Sequence, residues 1–130
     1  MLENLRILYV EYEPDIQMII GAALQLFPNV DVRLASSGAT ALALLNEREW
    51  SPNLIVAETA LSDMAGMELL ARARADRMFA SLSAILTMRH GLQGSASRFT
   101  SAGVLDIIEK TFDPMMLAQE VREIWRRHYT

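Results

Sequence analysis

The stretch "ILYVEYEPDI", residues 7–16, decides the fold of this chain. Ile7, Leu8, Tyr9 and Val10 form an apolar run, Glu11, Tyr12 and Glu13 follow, and Pro14 comes next. The order reads as a buried strand, an acidic loop and a helix that opens with proline. Proline is well tolerated at a helix's first position, where its missing N–H costs nothing. An acidic loop at the end of a strand is a place to hold a metal ion, yet Tyr12 stands between the two glutamates.

Working outward, the same alternation repeats along the chain. Apolar runs occur at Leu5–Val10, Asp31–Ala35, Asn53–Thr59, Ser83–Met88 and Val104–Lys110, with longer helix-like segments after them. Consecutive apolar residues, rather than strict alternation, mark parallel strands covered on both faces. The second run is shorter and more polar, as suits an edge strand. Pro14 and Pro114 open helices, and Ser36 or Ser37 can cap "GATALALLNERE". In "MELLARARAD" the pattern predicts Met67, Leu70 and Ala71 on one face. The last helix places Leu117, Val121, Ile124, Trp125 and His128 along one stripe, and Arg126 and Arg127 suit the negative end of its dipole. Most of the eight methionines fall at helical core spacing, with Met115 and Met116 near the surface. Trp50 and Trp125 read as packing residues. Alternating strands and helices with short connections imply right-handed crossovers and an α/β fold with a parallel sheet between two helical layers. In such sheets ligands bind at the carboxyl ends of the strands, where the strand order reverses.

Bulk properties limit the function. A chain of 130 residues fits one domain, taken as residues 1–130 with no output domain after it. Cysteine is absent, which removes thiolate metal sites and disulfides. The net charge of -4 argues against a nucleic-acid surface. The longest apolar stretch, Met18–Leu24, falls short of the roughly 20 residues of a membrane span. The N-terminus has no basic region followed by an apolar segment, so the expected location is cytoplasmic.

Function should therefore lie in the residues that end strands. These are Glu11, Tyr12 and Glu13 after the first, Glu58 and Thr59 after the third, Thr87 and Met88 after the fourth, and Lys110 and Thr111 after the fifth. Charged residues end many strands simply because they reach water there. Carboxylates, a hydroxyl and an ammonium on four strands suit phosphoryl chemistry better: carboxylates hold Mg²⁺, while Thr and Lys hold phosphoryl oxygens. His90 and His128 sit on separate elements without companion ligands, and Asp63 and Gly66 shape the loop after the third strand, Asp63 being solvated.

At these residues the chain resembles the receiver domains of bacterial two-component response regulators. The resemblance runs from "ILYVEYEPDI" through "NLIVAETALSDMAGMELL" and "AILTM" to "AGVLDIIEKTFDP". It implies a single-domain flavodoxin-like (βα)5 three-layer sandwich with sheet order 2-1-3-4-5. It also implies an acidic pair after strand one, a phosphorylated Asp after strand three, Thr or Ser after strand four and Lys after strand five. By this resemblance Glu11 takes the first acid of the pair and Tyr12 the second, a direct Mg²⁺ ligand in the family. Glu58 takes the phosphoacceptor position, and Thr87 and Lys110 match. Ile107 replaces the aromatic that rotates on activation, and Thr111 replaces proline.

Each departure has a physical consequence. A phenol with a reference pKa of about 10 is neutral at pH 7 and a poor ligand for a hard cation. Mg²⁺ demands near-octahedral geometry at about 2.0–2.1 Å, so one lost oxygen is serious. The extra methylene of Glu58 pushes its carboxylate about 1.5 Å toward the place of the transferred group. Such a displacement can cost on the order of 100-fold in an in-line transfer. The same reach could bring Glu58 to Lys110 and Thr87, standing in part for an acyl phosphate. Ile107 is stiff at χ1 and has no ring to swing. The family's Lys–Pro bond is typically cis; before Thr111 a cis bond costs about 3–4 kcal/mol, so trans is expected. Met88 narrows the mouth of the pocket.

The leading expectation is a pseudo-receiver that signals by protein–protein recognition, with no cofactor or only weak Mg²⁺ and no enzymatic activity of its own. Its interaction face, by the resemblance, is the fourth helix, fifth strand and fifth helix, here Arg98, Phe99, Ile107 and Glu109. A sensor histidine kinase or other signalling protein would dock there, or a second copy forming a homodimer. The first alternative keeps the chemistry, with Mg²⁺ on Glu11, Glu58 and the carbonyl of Ala60 and phosphorylation at Glu58. The second is a flavodoxin-like cofactor protein or a phosphatase-like enzyme. Against it, "EYEP" offers carboxylates where a phosphate needs backbone N–H donors.

Overall fold

The computed structural model describes residues 4–88, 103–109 and 113–129. Strands β1 (Leu5–Val10), β2 (Val30–Ala35), β3 (Leu54–Glu58), β4 (Ser83–Met88) and β5 (Val104–Glu109) form one sheet in the order β2-β1-β3-β4-β5. Every pairing is parallel. Among the described residues the helices are α1 (Pro14–Gln25), α2 (Gly38–Glu47), α3 (Gly66–Arg74) and the C-terminal α4 (Pro114–Tyr129). The fourth of the five expected helices would fall in residues 89–102, outside the described residues.

Both faces of the sheet are covered, which is why its strands read as apolar runs rather than alternating ones. Leu8, Val10, Ile55, Ala57, Ala84 and Leu86 pack against α2 and α3, with Leu45, Leu69 and Leu70. The opposite face presents Leu5, Ile7, Tyr9, Leu54, Val56 and Ile85 to α1 and α4, where Leu24, Leu117, Val121 and Trp125 meet them. Each fully buried Leu or Ile contributes about 1.5–3 kcal/mol by leaving water.

The polar run, β2, is the edge strand expected of it. Its outer side is tied down by Trp50, whose Nε1 donates to Asp31 at 2.8 Å and whose ring lies under the Arg33 guanidinium. Helix starts follow the sequence signals. Pro14 and Pro114 are the first residues of their helices. Ser37, rather than Ser36, caps α2 by accepting the Thr40 N–H at 3.0 Å.

Three sequence expectations need correction. In α3 the buried residues are Gly66, Leu69, Leu70 and Ala73, while Ala71 faces water and Met67 is half-buried. Leu69, with Leu70 and Ala73, forms the buried face, which is therefore rotated by about one residue from the predicted one. In α4 the buried stripe ends at Trp125, and His128 is exposed; the contact of the last turn with the sheet is made by Tyr129, whose hydroxyl meets that of Ser83. None of the described methionines belongs to the fully buried core; Met18, Met78, Met115 and Met116 are exposed, and the others are half-buried at its margin.

Candidate functional site

Strand alternation aims the site. Successive residues of a strand face opposite sides, so Glu58 continues the side of Leu54 and Val56, and Thr87 that of Ser83 and Ile85. Glu11 likewise follows Ile7 and Tyr9. Glu58 and Thr87 are directly in register on neighbouring strands. Glu11, one residue past the register pair Val10–Ala57, comes beside Glu58. Two carboxylates and a hydroxyl therefore share the carboxyl edge of the three central strands, next to the point where the strand order reverses.

Glu11 is buried to 1% exposure, unusual for a carboxylate, and its oxygens have defined partners. Oε1 accepts the Tyr9 hydroxyl at 3.3 Å, and Oε2 accepts the Glu13 N–H at 3.2 Å. The backbone around it is fixed as well. Glu11 N–H donates to the Ala35 carbonyl at 2.9 Å, and the Gln17 amide bridges the carbonyls of Glu11 and Ala35 at 3.1 Å each. Burial raises the Tyr9 phenol far above its ordinary range, and the neighbouring charge of Glu11, its hydrogen bond and the charge of Glu58 push the same way.

The predicted acidic trio does not stay together. Tyr12 is 68% exposed, with its ring in solvent, and Glu13 is an exposed residue preceding α1. Only Glu11 faces inward. Thr87 is buried and Glu58 half-buried. Met88, the last residue of β4, is half-buried and, by the same alternation, faces the other side of the sheet from Thr87. Ile107 is half-buried and packs against the α2–α3 side of the sheet, and Glu109 is exposed. Lys110, Thr111, Arg98, Phe99 and His90 lie outside the described residues.

The loop after β3 is held by its own hydrogen bonds. Leu61 N–H donates to the Met64 carbonyl, and Gly66 N–H to that of Thr59 at 2.9 Å. Gly66 has a clear steric reason: a Cβ there would stand 2.3 Å from the Glu58 carbonyl oxygen. Asp63 is exposed but not merely solvated. Its two oxygens accept the N–H groups of Gly38 and Ala39 at 3.0 and 2.9 Å, joining this loop to the start of α2. Those N–H donors, Ala39 first, hold its carboxyl below the usual value.

The Mg²⁺ ion implied by the resemblance fits these residues poorly. Among the described residues no three His, Asp or Glu side chains cluster closely enough to hold a metal ion. Each Glu11 oxygen already accepts a hydrogen bond, from Tyr9 or from Glu13, and Tyr12, which the resemblance puts at the second acid, is an exposed phenol. What remains is Glu58 and the exposed Ala60, whose carbonyl would be one ligand.

Tyr9, Gln17 and the two-pronged contact of Asp63 were not singled out from sequence. For Tyr9 a signal existed: it lies two residues before Glu11 and so on the same strand face. A separate cavity of about 350 Å³ lies at the opposite, amino end of the sheet, lined by Arg6, Asn53, Phe79, Trp125 and Tyr129 among others. It carries none of the strand-end chemistry. No helix among the described residues is long and apolar enough to cross a membrane.

Comparison with known proteins agrees with this architecture. The family model described as the response regulator receiver domain matches residues 7–122. A chemotaxis protein CheY homolog of Campylobacter jejuni is 24% identical over 120 residues, covering 92% of each chain. Response regulator Rre1 of Synechocystis is 26% identical over 127 residues, and this chain spans 54% of its length. The receiver domain of the Francisella response regulator 1452 superposes with a TM-score of 0.76 at 20% identity, covering 96% of this chain and 99% of the other. Chemotaxis response regulator CheY4 of Vibrio cholerae does so with a TM-score of 0.76 at 17% identity, covering 92% and 98%. With its five parallel strands in the order 2-1-3-4-5 and a strand-end site on the central three, the chain belongs to the response regulator receiver domain family of two-component signalling.

Proposed function

We propose that this receiver works as a pseudo-receiver, signalling through protein–protein recognition with its phosphoryl switch disabled or much reduced. One observation carries the reading: the residue in the second acid position, Tyr12, is a neutral phenol 68% exposed to solvent, while the buried Glu11 is engaged by Tyr9. A hard cation needs several fixed anionic oxygens; Tyr12 supplies none, and each oxygen of Glu11 already accepts a hydrogen bond. Signalling would then rest on the surface of β5 and α4, with Ile107 and Glu109, and on Arg98 and Phe99. A sensor kinase, another signalling protein or a second copy of the chain would be the partner there.

A second reading has its own support. Thr87 is buried and directly in register with Glu58, the placement a phosphate-contacting hydroxyl requires. On that reading Glu58 accepts a phosphoryl group with Mg²⁺ bound. Amide NMR spectra recorded with Mg²⁺ and then beryllium fluoride, an acyl-phosphate mimic, separate the two. The pseudo-receiver gives flat spectra in a folded sample. Saturable shifts at Glu11, Glu58 and Ala60 at millimolar Mg²⁺, followed by shifts at Thr87, establish the phosphorylatable switch instead.

A further inference from the structure

Tyr9 and Glu11 form a matched pair inside the sheet. Tyr9 is in β1 and Glu11 directly follows the strand on the same side, both almost fully buried, with the ring hydroxyl 3.3 Å from the carboxylate. The length of the glutamate matters. Side chains two apart on a strand point the same way, and the extra methylene gives Glu11 the reach to lean back along the strand onto the ring hydroxyl. The Glu13 N–H holds the second oxygen. We propose that the Tyr9 hydroxyl takes the place of a divalent cation as the partner of Glu11, making Tyr9 a positioning residue that keeps this carboxylate turned into the sheet. The proposal rests on the pseudo-receiver reading and gives it a cause beyond Tyr12: the site is closed from below as well as open at its rim.

The consequence is non-additive. Restoring an acid at position 12 supplies one oxygen, but Glu11 must still leave Tyr9 before two anionic ligands can face one ion. Releasing Glu11 should help a metal only when the second acid is present. A hydrogen bond contributes about 0.5–1.5 kcal/mol net, so the release should be worth up to about tenfold in affinity.

The test is Mg²⁺ titration of the full chain by calorimetry, with the Glu11 side-chain carboxyl ¹³C resonance followed at fixed pH. Tyr12→Asp should bind weakly. Tyr9→Phe with Tyr12→Asp should bind about tenfold more tightly, and only there should the Glu11 carboxyl resonance move with Mg²⁺. Glu11→Asp with Tyr12→Asp, which shortens the carboxylate and leaves Tyr9 intact, should show the same gain and guards against a folding defect in the Tyr9 variant. Equal affinity for Tyr12→Asp and both double variants overturns the proposal while leaving the pseudo-receiver intact. Tight Mg²⁺ binding by the unaltered chain overturns both.

Discussion

The Tyr9 hydroxyl donates to Glu11 Oε1 across 3.3 Å, from inside the apolar cluster under the sheet to the residue that follows β1. A phenol in that position cannot ionise cheaply, since its own burial and two adjacent carboxylates all oppose a phenolate. Tyr9 therefore stays a neutral donor across the ordinary pH range. Its cost emerges only in alkali.

That cost is the first prediction. The folded-state value of Tyr9 is raised above its unfolded value of 10.0, so its contribution is fully present below pH 10 and lost as pH rises beyond it. Unfolding then releases a proton that the native state retains. Relative to Tyr9→Phe, the unaltered chain should lose about 1.4 kcal/mol of stability per pH unit above 10. Urea midpoints at pH 8, 10 and 11 on both proteins would show it, and parallel curves would mean that the phenol is not buried against Glu11.

Gly66→Ala tests the loop that carries the site. The added methyl would meet the Glu58 carbonyl oxygen at 2.3 Å, and that atom is backbone, not a side chain that can swing away. The strand end or the first turn of α3 must shift, at about 1–3 kcal/mol. Chemical denaturation should show that loss, with amide shifts concentrated at residues 58–66. A variant as stable as the parent would place the loop farther from β3.

The fold was legible because covered parallel strands and helix-opening prolines are local signals. Leu5–Val10 and Ser83–Met88 were bounded to the residue, and β2 was identified as an edge by its polarity. Glu11, Glu58 and Thr87 could be aimed at one place because alternation within a strand fixes their side. What escaped was direction within the loop and contacts across it. Whether Tyr12 turns in or out depends on the bend between Val10 and Pro14, which residue types do not specify. Asp63 read as a solvated loop residue because its partners, Gly38 and Ala39, lie about two dozen positions earlier and donate backbone N–H groups that carry no sequence signature.

Asp63 yields a prediction of opposite sign to Tyr9. Its carboxyl is held below 3.8 by the two N–H groups at the start of α2, where the helix dipole also favours a negative charge. Its contribution is present above pH 3.8 and disappears as pH falls through the depressed folded value. Asp63→Asn should therefore melt lower than the parent at pH 7 and match it near pH 2. Because the carboxylate is exposed, added salt should narrow the gap at pH 7. A gap unchanged from pH 7 to pH 2 would show that the charge plays no part.

The last prediction returns phosphoryl chemistry to the strand ends. Glu58→Asp withdraws the carboxylate by about 1.5 Å, opening space for a transferred group beside Thr87, its register neighbour. Alone it should leave the chain unlabelled by a small acyl-phosphate donor with Mg²⁺, because position 12 still lacks an acid to fix the ion. Combined with Tyr12→Asp it should give a labelled protein. Adding Tyr9→Phe should raise the rate further by freeing Glu11, and Thr87→Ala should lower it by removing the buried hydroxyl. Labelling of the unaltered chain at the rate of the combined variant would make Glu58 itself the acceptor, and the domain an ordinary switch with an unusual carboxylate.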